Sequence, residues 1–451
     1  LEKSFMKKLL LWLVLFVFAL TPAVAQDTNT LTVDASTSLG TISPYFFGAN
    51  FGYDSVVPPD LMPLAQALGI QYLRLGSGQS DRIDLTKPTL DLMVLQARAM
   101  GAEPGVTVRL LGGTPEQAAE LVRYANIEKD YNIRYWSIGN EPNFFVDVIG
   151  AESYTTEDLN REWRAIAEAM LEIDPDILLV GPDISQYVPL SIDGETITYL
   201  EGDLGGDPRD ALERDWMQEF LKANGDMLDV VSIHRYPYPG AGGSATASAT
   251  IEGLRENPPQ WEVMISNLRQ IIRQAAGRDI PIAVTEINSN SIPSSGGEAG
   301  LDSRFNAVWL ADVLGRLLRQ QVAITAVWNL RSIRNGFGLL DRYDPRPTYF
   351  TYVMYSHFGQ ELLQASSDDP HVSIYAAQRG DGALTLMVVN LGDDEVTKIL
   401  SLTGFTPSGE AEVWRFDTEH NAEQIESVEL ADGGSITVPG RSITLYALLG
   451  S

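Results

Sequence analysis

The sequence predicts an α/β protein: a (β/α)8 TIM barrel followed by a C-terminal antiparallel β-sandwich. Three observations carry this. Between residues 45 and 358, short β-branched and aromatic runs alternate eight times with stretches of helical period. After residue 358 the helical period disappears, and short alternating segments follow one another between Gly, Asp or Pro. Within the first region, one apolar run breaks at Gly139-Asn140-Glu141-Pro142 and another ends at Thr285-Glu286, leaving a lone carboxylate at each strand end. Catalytic side chains of a (β/α)8 barrel sit at the carboxyl ends of its strands. A doubly wound open sheet shares the alternation, but no Gly-rich phosphate turn follows the first strand.

Taken in order, residues 31–35 (LTVDA) alternate and read as a strand ahead of the barrel, free to join the sandwich. Residues 45–50 (YFFGAN) form the first barrel strand, with helical pattern at 60–68. Residues 70–75 (IQYLRL) form the second, and the helix at 87–100 sets Leu90, Met93, Val94 and Ala97 on one stripe. Residues 105–111 are the third strand. Thr114-Pro115-Glu116-Gln117 then starts a helix with a Thr cap, a first-turn Pro and a Gln that closes a capping box. Ala118, Leu121, Val122 and Ala125 form its apolar face. The fourth strand lies in residues 133–145 (IRYWSIGNEPNFF). Pro142 cannot extend the ladder, so the strand stops and Glu141 is left on the rim.

The following helix, 156–173, spaces Leu159, Trp163, Ile166 and Met170 at helical intervals. Residues 177–180 are the fifth strand, followed by an insertion to residue 210 and a helix at 216–224. Strand six is 228–236 (LDVVSIHRY) with its helix at 260–276, and strand seven is 282–286 with a helix at 302–320. Strand eight is 323–330 (AITAVWNL), and 347–358 is the closing helix. The sandwich strands are read at 372–378, 384–391, 396–402, 411–416, 425–430, 435–438 and 442–448. Loops 239–250 and 289–300 follow barrel strands at their carboxyl ends, so both border the site. Their Gly/Ser-rich composition fits solvated loops, with a closing lid as the functional alternative. The expected domains are thus 26–44, an N-terminal strand segment of the sandwich; 45–358, the catalytic barrel; and 359–451, the sandwich.

Met6-Lys7-Lys8, an apolar run at 9–20 and Ala23-x-Ala25 have the order of a secretory signal. Cleavage after Ala25 and export to the periplasm or the medium are expected, with no stable membrane insertion afterwards. The chain of 451 residues has no Cys, so neither disulfides nor thiolate chemistry enter. A net charge of −28 disfavours nucleic acid as a partner. The four histidines, His234, His357, His371 and His420, are not spaced as metal ligands, and no cofactor or metal is expected. No feature of the sequence speaks to oligomeric state.

Two carboxyl groups suffice to break a glycosidic bond: one protonates the leaving oxygen, the other attacks the anomeric carbon or activates water. Glu141 and Glu286 end the fourth and seventh strands, which stand roughly opposite each other around a closed barrel. With Asn140-Glu141-Pro142, Thr285-Glu286, residues 232–237 (SIHRYP), Arg74 and Trp328, nearly the whole chain after residue 25 resembles the retaining glycoside hydrolases of clan A. The heparanase-like β-glucuronidases and β-xylosidase-like families are nearest, and α-L-arabinofuranosidases share the plan. The resemblance implies an exported retaining glycosidase that cleaves β-glycosidic bonds in oligo- or polysaccharides by double displacement. Glu141 would be the acid/base, with a raised pKa, and Glu286 an ionised nucleophile. Arg74 and Tyr236 would hold Glu286, Asn140 the sugar 2-hydroxyl, and Trp328 the apolar face of the ring, while His234 would line the subsite. Arg331 and Arg334 are candidates for reading a uronic acid carboxylate. An α-L-arabinofuranosidase and a non-catalytic carbohydrate-binding barrel are the alternatives; the sugar and linkage stay open.

Overall fold

The computed structural model describes residues 29–52, 55–193, 196–199, 208–241, 244–245, 249–333 and 336–450. The segment read as a secretory signal and Arg334 lie outside these residues. Eight parallel strands close into a barrel: Phe47–Phe51, Tyr72–Leu75, Glu103–Val108, Tyr135–Ile138, Leu178–Ser185, Val230–Arg235, Ile282–Ile287 and Ile324–Val327. The last pairs with the first, Thr325 beside Phe47. Each predicted strand overlaps one of these. The largest difference is the fifth, which runs past Val180 through Pro182 to Ser185. The insertion after it carries a small hairpin, Pro189–Asp193 with Thr196–Tyr199.

The helices follow from their stripes and caps. Lys87–Ala99 buries Leu90, Met93, Val94 and Ala97. Pro115–Val122 begins with the Thr114–Gln117 capping box. Thr156–Ile173 buries Leu159, Trp163, Ile166 and Met170 against the barrel. Among the described residues, no helix is long and apolar enough to cross a membrane.

Strand alternation sorts the barrel interior into layers. Tyr72, Tyr135, Val180, Val230, Ala283 and Ile324 form one buried layer. Two residues further along, four of these six strands carry Arg74, Ser137, Ser232 and Thr285, all buried and polar, and the other two Pro182 and Ala326. The interior thus changes from apolar to polar toward the carboxyl ends, where a site can be built. The large Tyr72 ring needs space beside it. A Cβ on Gly105 would lie 1.9 Å from Tyr72 Oη. Gly105→Ala is therefore expected to cost about 1–3 kcal/mol by overpacking, read as a lower urea midpoint.

After the barrel, nine strands form one sheet in the order 421–429, 410–416, 442–448, 384–390, 372–378, 361–367, 30–41, 396–403 and 435–438. Alternate residues, among them Leu31, Val33, Ile374, Leu386, Leu400, Ile436 and Tyr446, share one interior core. Tyr375, Met387, Val389 and Leu445 face the other way and join the core of the barrel. The ring of Tyr375 lies over Gly315, where a Cβ would come within 2.3 Å of it. The N-terminal strand, Thr30–Thr41, joins this sheet as the sequence predicts. The sheet departs from wholly antiparallel for a geometric reason. Thr30–Thr41 fills a gap between Glu361–Ser367 and Val396–Thr403, whose edges run oppositely. It is antiparallel to the first and must be parallel to the second.

Candidate active site

The fourth strand ends in a tight, held turn. Gly139 has φ +79° and Glu141 has φ +51°, a left-handed conformation that a non-glycine residue keeps only when its surroundings fix it. Buried Asp81 does part of the fixing: Oδ1 accepts from the N–H groups of Leu110 and Leu111 and Oδ2 from that of Asn140, at 2.7–2.8 Å. Burial pushes the Asp81 carboxyl up to about 6, against the pull of those three N–H groups. On the other side, Asn143 exchanges two hydrogen bonds with the backbone of Ser185, at 3.1 and 3.0 Å.

Glu141 and Glu286 meet across the barrel. One oxygen of each and one ring nitrogen of His234 all lie within 4.8 Å of one another. Tyr236 Oη donates to Glu286 Oε2 at 2.7 Å. Arg74 donates to Glu286 Oε1 and Asn50 Oδ1 through Nη1, both at 3.0 Å. Through Nη2 it donates to Asn140 Oδ1 at 2.9 Å and to Asp183 Oδ2 at 2.8 Å. The Asn50 amide is anchored in turn on the carbonyls of Thr285 and Ala326. With its Oδ1 held by Arg74, Asn140 keeps its amide N–H groups for a ligand.

A cavity of about 510 Å³ opens above these groups. Asn140, Glu141, Tyr236, Glu286 and Trp328 all line it, as do Pro239 and Ser291 from the two low-complexity loops. Arg74 and His234 do not. Both are fully buried behind the carboxylates: Arg74 donates to Glu286, and His234 faces Glu141 rather than the cavity. The reason is height in the barrel, since both occupy inward positions below the rim. Arg331, a candidate uronate reader, is outside the cavity wall and donates to the Val56 carbonyl at 2.8 Å.

His234 Nδ1 lies 3.0 Å from Glu141 Oε1, and Nε2 lies 3.6 Å from Asp183 Oδ1. Burial favours neutral imidazole, but Glu286, Asp183 and Glu141 outweigh it and push His234 up to about 9. Asp183 is buried too, yet the Arg74 guanidinium and His234 hold its carboxyl well below the usual range. Burial raises the Glu141 carboxyl, but the His234 contact and Arg74 reverse this and leave it below its ordinary value. Burial and the Glu141 charge raise Glu286, against His234, Arg74 and Tyr236. In the free site the two directions thus run opposite to the expected ones, Glu141 lowered and Glu286 raised. A titration follows. Because the folded His234 holds its proton above its ordinary 6.5, it contributes stability fully present below pH 6.5 and lost as pH rises to about 9. The melting temperature should fall across that window, and a His234→Asn variant should lack this part of the slope.

One histidine and two glutamates within 4.8 Å could suggest a metal. The donor atoms are already engaged: Arg74 and Tyr236 take the two Glu286 oxygens and Glu141 faces His234. A cation would sit against the Arg74 guanidinium. Asp183, Asn50 and Asp81 went unnoticed in the sequence as site residues. Asn50 ends a predicted strand, which was its only signal, whereas Asp183 follows Gly-Pro and resembles a turn acid.

No family model matches the chain. In sequence it is similar to heparanase from Bos taurus, 26% identical over 294 residues, 61% of this chain and 46% of that protein. It is also similar to a β-xylosidase from Geobacillus stearothermophilus, 22% identical over 280 residues, 57% of this chain and 47% of that protein. The chain spans about half the length of the curated relatives it matches. In structure it is similar to a bifunctional glucanase-xylanase from a metagenome library, with TM-score 0.72, 17% identity, and 94% and 99% of the two chains covered. An α-L-arabinofuranosidase from Thermotoga maritima in complex with arabinose gives TM-score 0.71, 16% identity, and 93% and 100% coverage. The barrel with its C-terminal β domain is the fold of these solved glycoside hydrolases, and the resemblance read from the sequence is borne out.

Proposed function

We propose that this chain is a retaining glycoside hydrolase that cleaves β-glycosidic bonds by double displacement, and that it is exported through residues 1–25. The observation that carries the mechanism is the separation of Glu141 and Glu286, whose nearest oxygens lie within 4.8 Å. Retaining enzymes hold their carboxyl groups about 5–5.5 Å apart, inverting ones roughly 6.5–9.5 Å, to admit a water. The residues 45–358 are assigned as the catalytic unit and 359–451, with 26–44, as its supporting sheet.

Glu286 attacks the anomeric carbon while Glu141 protonates the leaving oxygen, and the proton reaches Glu141 from His234 Nδ1 over 3.0 Å. Glu141, then a carboxylate beside a neutral imidazole, takes a proton from the incoming water in the second step and returns it to His234. Arg74 and Tyr236 fix the two Glu286 oxygens, so the attacking oxygen is aimed before substrate arrives. Asn140 donates to the sugar 2-hydroxyl and Trp328 stacks on the ring.

The test is a panel of aryl glucuronide, xyloside, glucoside, galactoside and arabinofuranoside substrates, with the first-formed product anomer followed by NMR. Release of chromophore with the anomeric configuration kept is expected. An inverted first product would discard double displacement, and a panel without any release would discard the enzyme reading.

A further inference from the structure

Resting on the glycosidase reading, the cavity walls bear on what the sugar is attached to. A general acid must touch the departing oxygen, so the leaving group lies beside Glu141. From Glu141 the chain continues through the turns Pro142–Phe144 and Phe145–Ile149, and Phe144, Val148 and Ile149 line the cavity. Ile292, from the loop after strand seven, lines it too. Val148 is 52% exposed at the mouth of the cavity, next to Asp147.

The polar groups near this wall are largely taken up by the protein. Gln186 Nε2 donates to the Tyr236 carbonyl and Oε1 accepts from Arg235 and from the Tyr236 N–H. The Ser185 hydroxyl bonds Glu141. Arg82, with Nη2 donating to the Val148 carbonyl at 3.1 Å, and Asp147 are the charged groups that also line the cavity on this wall. A second sugar needs hydroxyl partners and a flat ring to stack on. Val148, Ile149 and Ile292 offer neither, and the Phe144 ring stacks on a phenol as readily as on a sugar. On the other side, Trp328 and Asn140 flank Gly78, whose Cβ would lie 3.8 and 3.9 Å from them. That side suits the sugar.

We infer that the leaving-group side of this cavity is a subsite for an apolar aglycone, so that the substrate is a glycoside of a phenol or an alkyl alcohol rather than the interior of a polysaccharide. The cavity, about 510 Å³, holds one sugar and a group of similar bulk. The hydroxyl formed on the aglycone takes the proton that Glu141 gives up, and water supplies the sugar's new hydroxyl, so no further reactant enters.

The experiment compares methyl, octyl and phenyl glycosides, the matching disaccharide and the glycosyl fluoride of the sugar that the panel selects. Methyl and octyl alcohols are similar leaving groups, so their difference reports binding. The octyl glycoside is expected to exceed the methyl glycoside and the disaccharide in kcat/KM by about tenfold or more. In Val148→Ser and Ile292→Ser, the ratio of octyl glycoside to glycosyl fluoride should fall about tenfold. Equal methyl and octyl rates, a preferred disaccharide, or an unchanged ratio in both variants would overturn the aglycone subsite while leaving the glycosidase reading intact. If no substrate turns over, the fluoride included, the glycosidase reading itself fails and takes the subsite with it.

Discussion

Glu286→Gln is expected to lower kcat by about 10⁴-fold or more on every glycoside the protein accepts. The amide keeps the shape: its oxygen can accept from Arg74 Nη1 and its N–H can donate to Tyr236 Oη, in place of the carboxylate contacts at 3.0 and 2.7 Å. It cannot form the glycosyl ester, so the first displacement has no nucleophile. Folding should be nearly unchanged, because Arg74 keeps Asp183 as its anionic partner at 2.8 Å. The melting temperature at neutral pH therefore separates lost chemistry from lost structure. Removing the Glu286 charge also removes one of the groups that raise His234, so the imidazole should titrate lower in the variant. The complementary pair settles which glutamate has which role. With Glu286→Ala, added azide should attack the anomeric carbon directly and give an inverted glycosyl azide. With Glu141→Ala, azide should intercept the glycosyl enzyme and give a retained one. The opposite stereochemistry in the two variants would exchange the assignments.

Much of this site is legible in the chain, for reasons that also mark where legibility stops. Glu141 and Glu286 stand out because each breaks an apolar run, and Pro142 fixes where the first run ends. Arg74, His234 and Tyr236 stand out by strand position, but their depth does not. A strand's face is set by its alternation, whereas height along the barrel depends on an end that pattern alone places only within a few residues. His234 and Tyr236 are two residues apart on the same face, yet one is under the carboxylates and the other lines the cavity. Asp183 is hidden for another reason. Gly181-Pro182-Asp183 looks like a turn, but the strand continues through it to Ser185. Asp81 looks like a solvated loop acid and is 2% exposed. In the sheet, Glu361–Ser367 escapes notice because it follows directly on the closing helix with only a ragged alternation, ELLQASS.

The strongest expected effect on stability belongs to Arg74. Its guanidinium is fully buried and bridges Asn50, Asn140, Asp183 and Glu286, which come from four different strands or strand ends. Arg74→Met keeps much of the volume but leaves two buried carboxylates with His234 as their remaining cationic neighbour. Breaking a buried pair from one side costs about 3–5 kcal/mol, since the remaining charge has no compensation. The deficit should depend on pH in a defined direction. In the native chain, Asp183 is held below its ordinary value, so its stabilisation is present above the unfolded pKa of about 3.8 and is lost as pH falls. Without Arg74, burial dominates and the Asp183 and Glu286 carboxyls take up protons more readily, so the variant gains stability as pH falls toward 4. The gap in urea midpoint between the two proteins should therefore narrow from pH 7 to pH 4. Arg74→Lys separates charge from geometry. One ammonium cannot serve acceptors that the planar fork reaches with two nitrogens. It should recover most of the stability but leave kcat reduced about 10²-fold, because Glu286 and Asn140 are no longer aimed by the same group. A lysine variant with native kcat would mean that charge alone prepares the nucleophile.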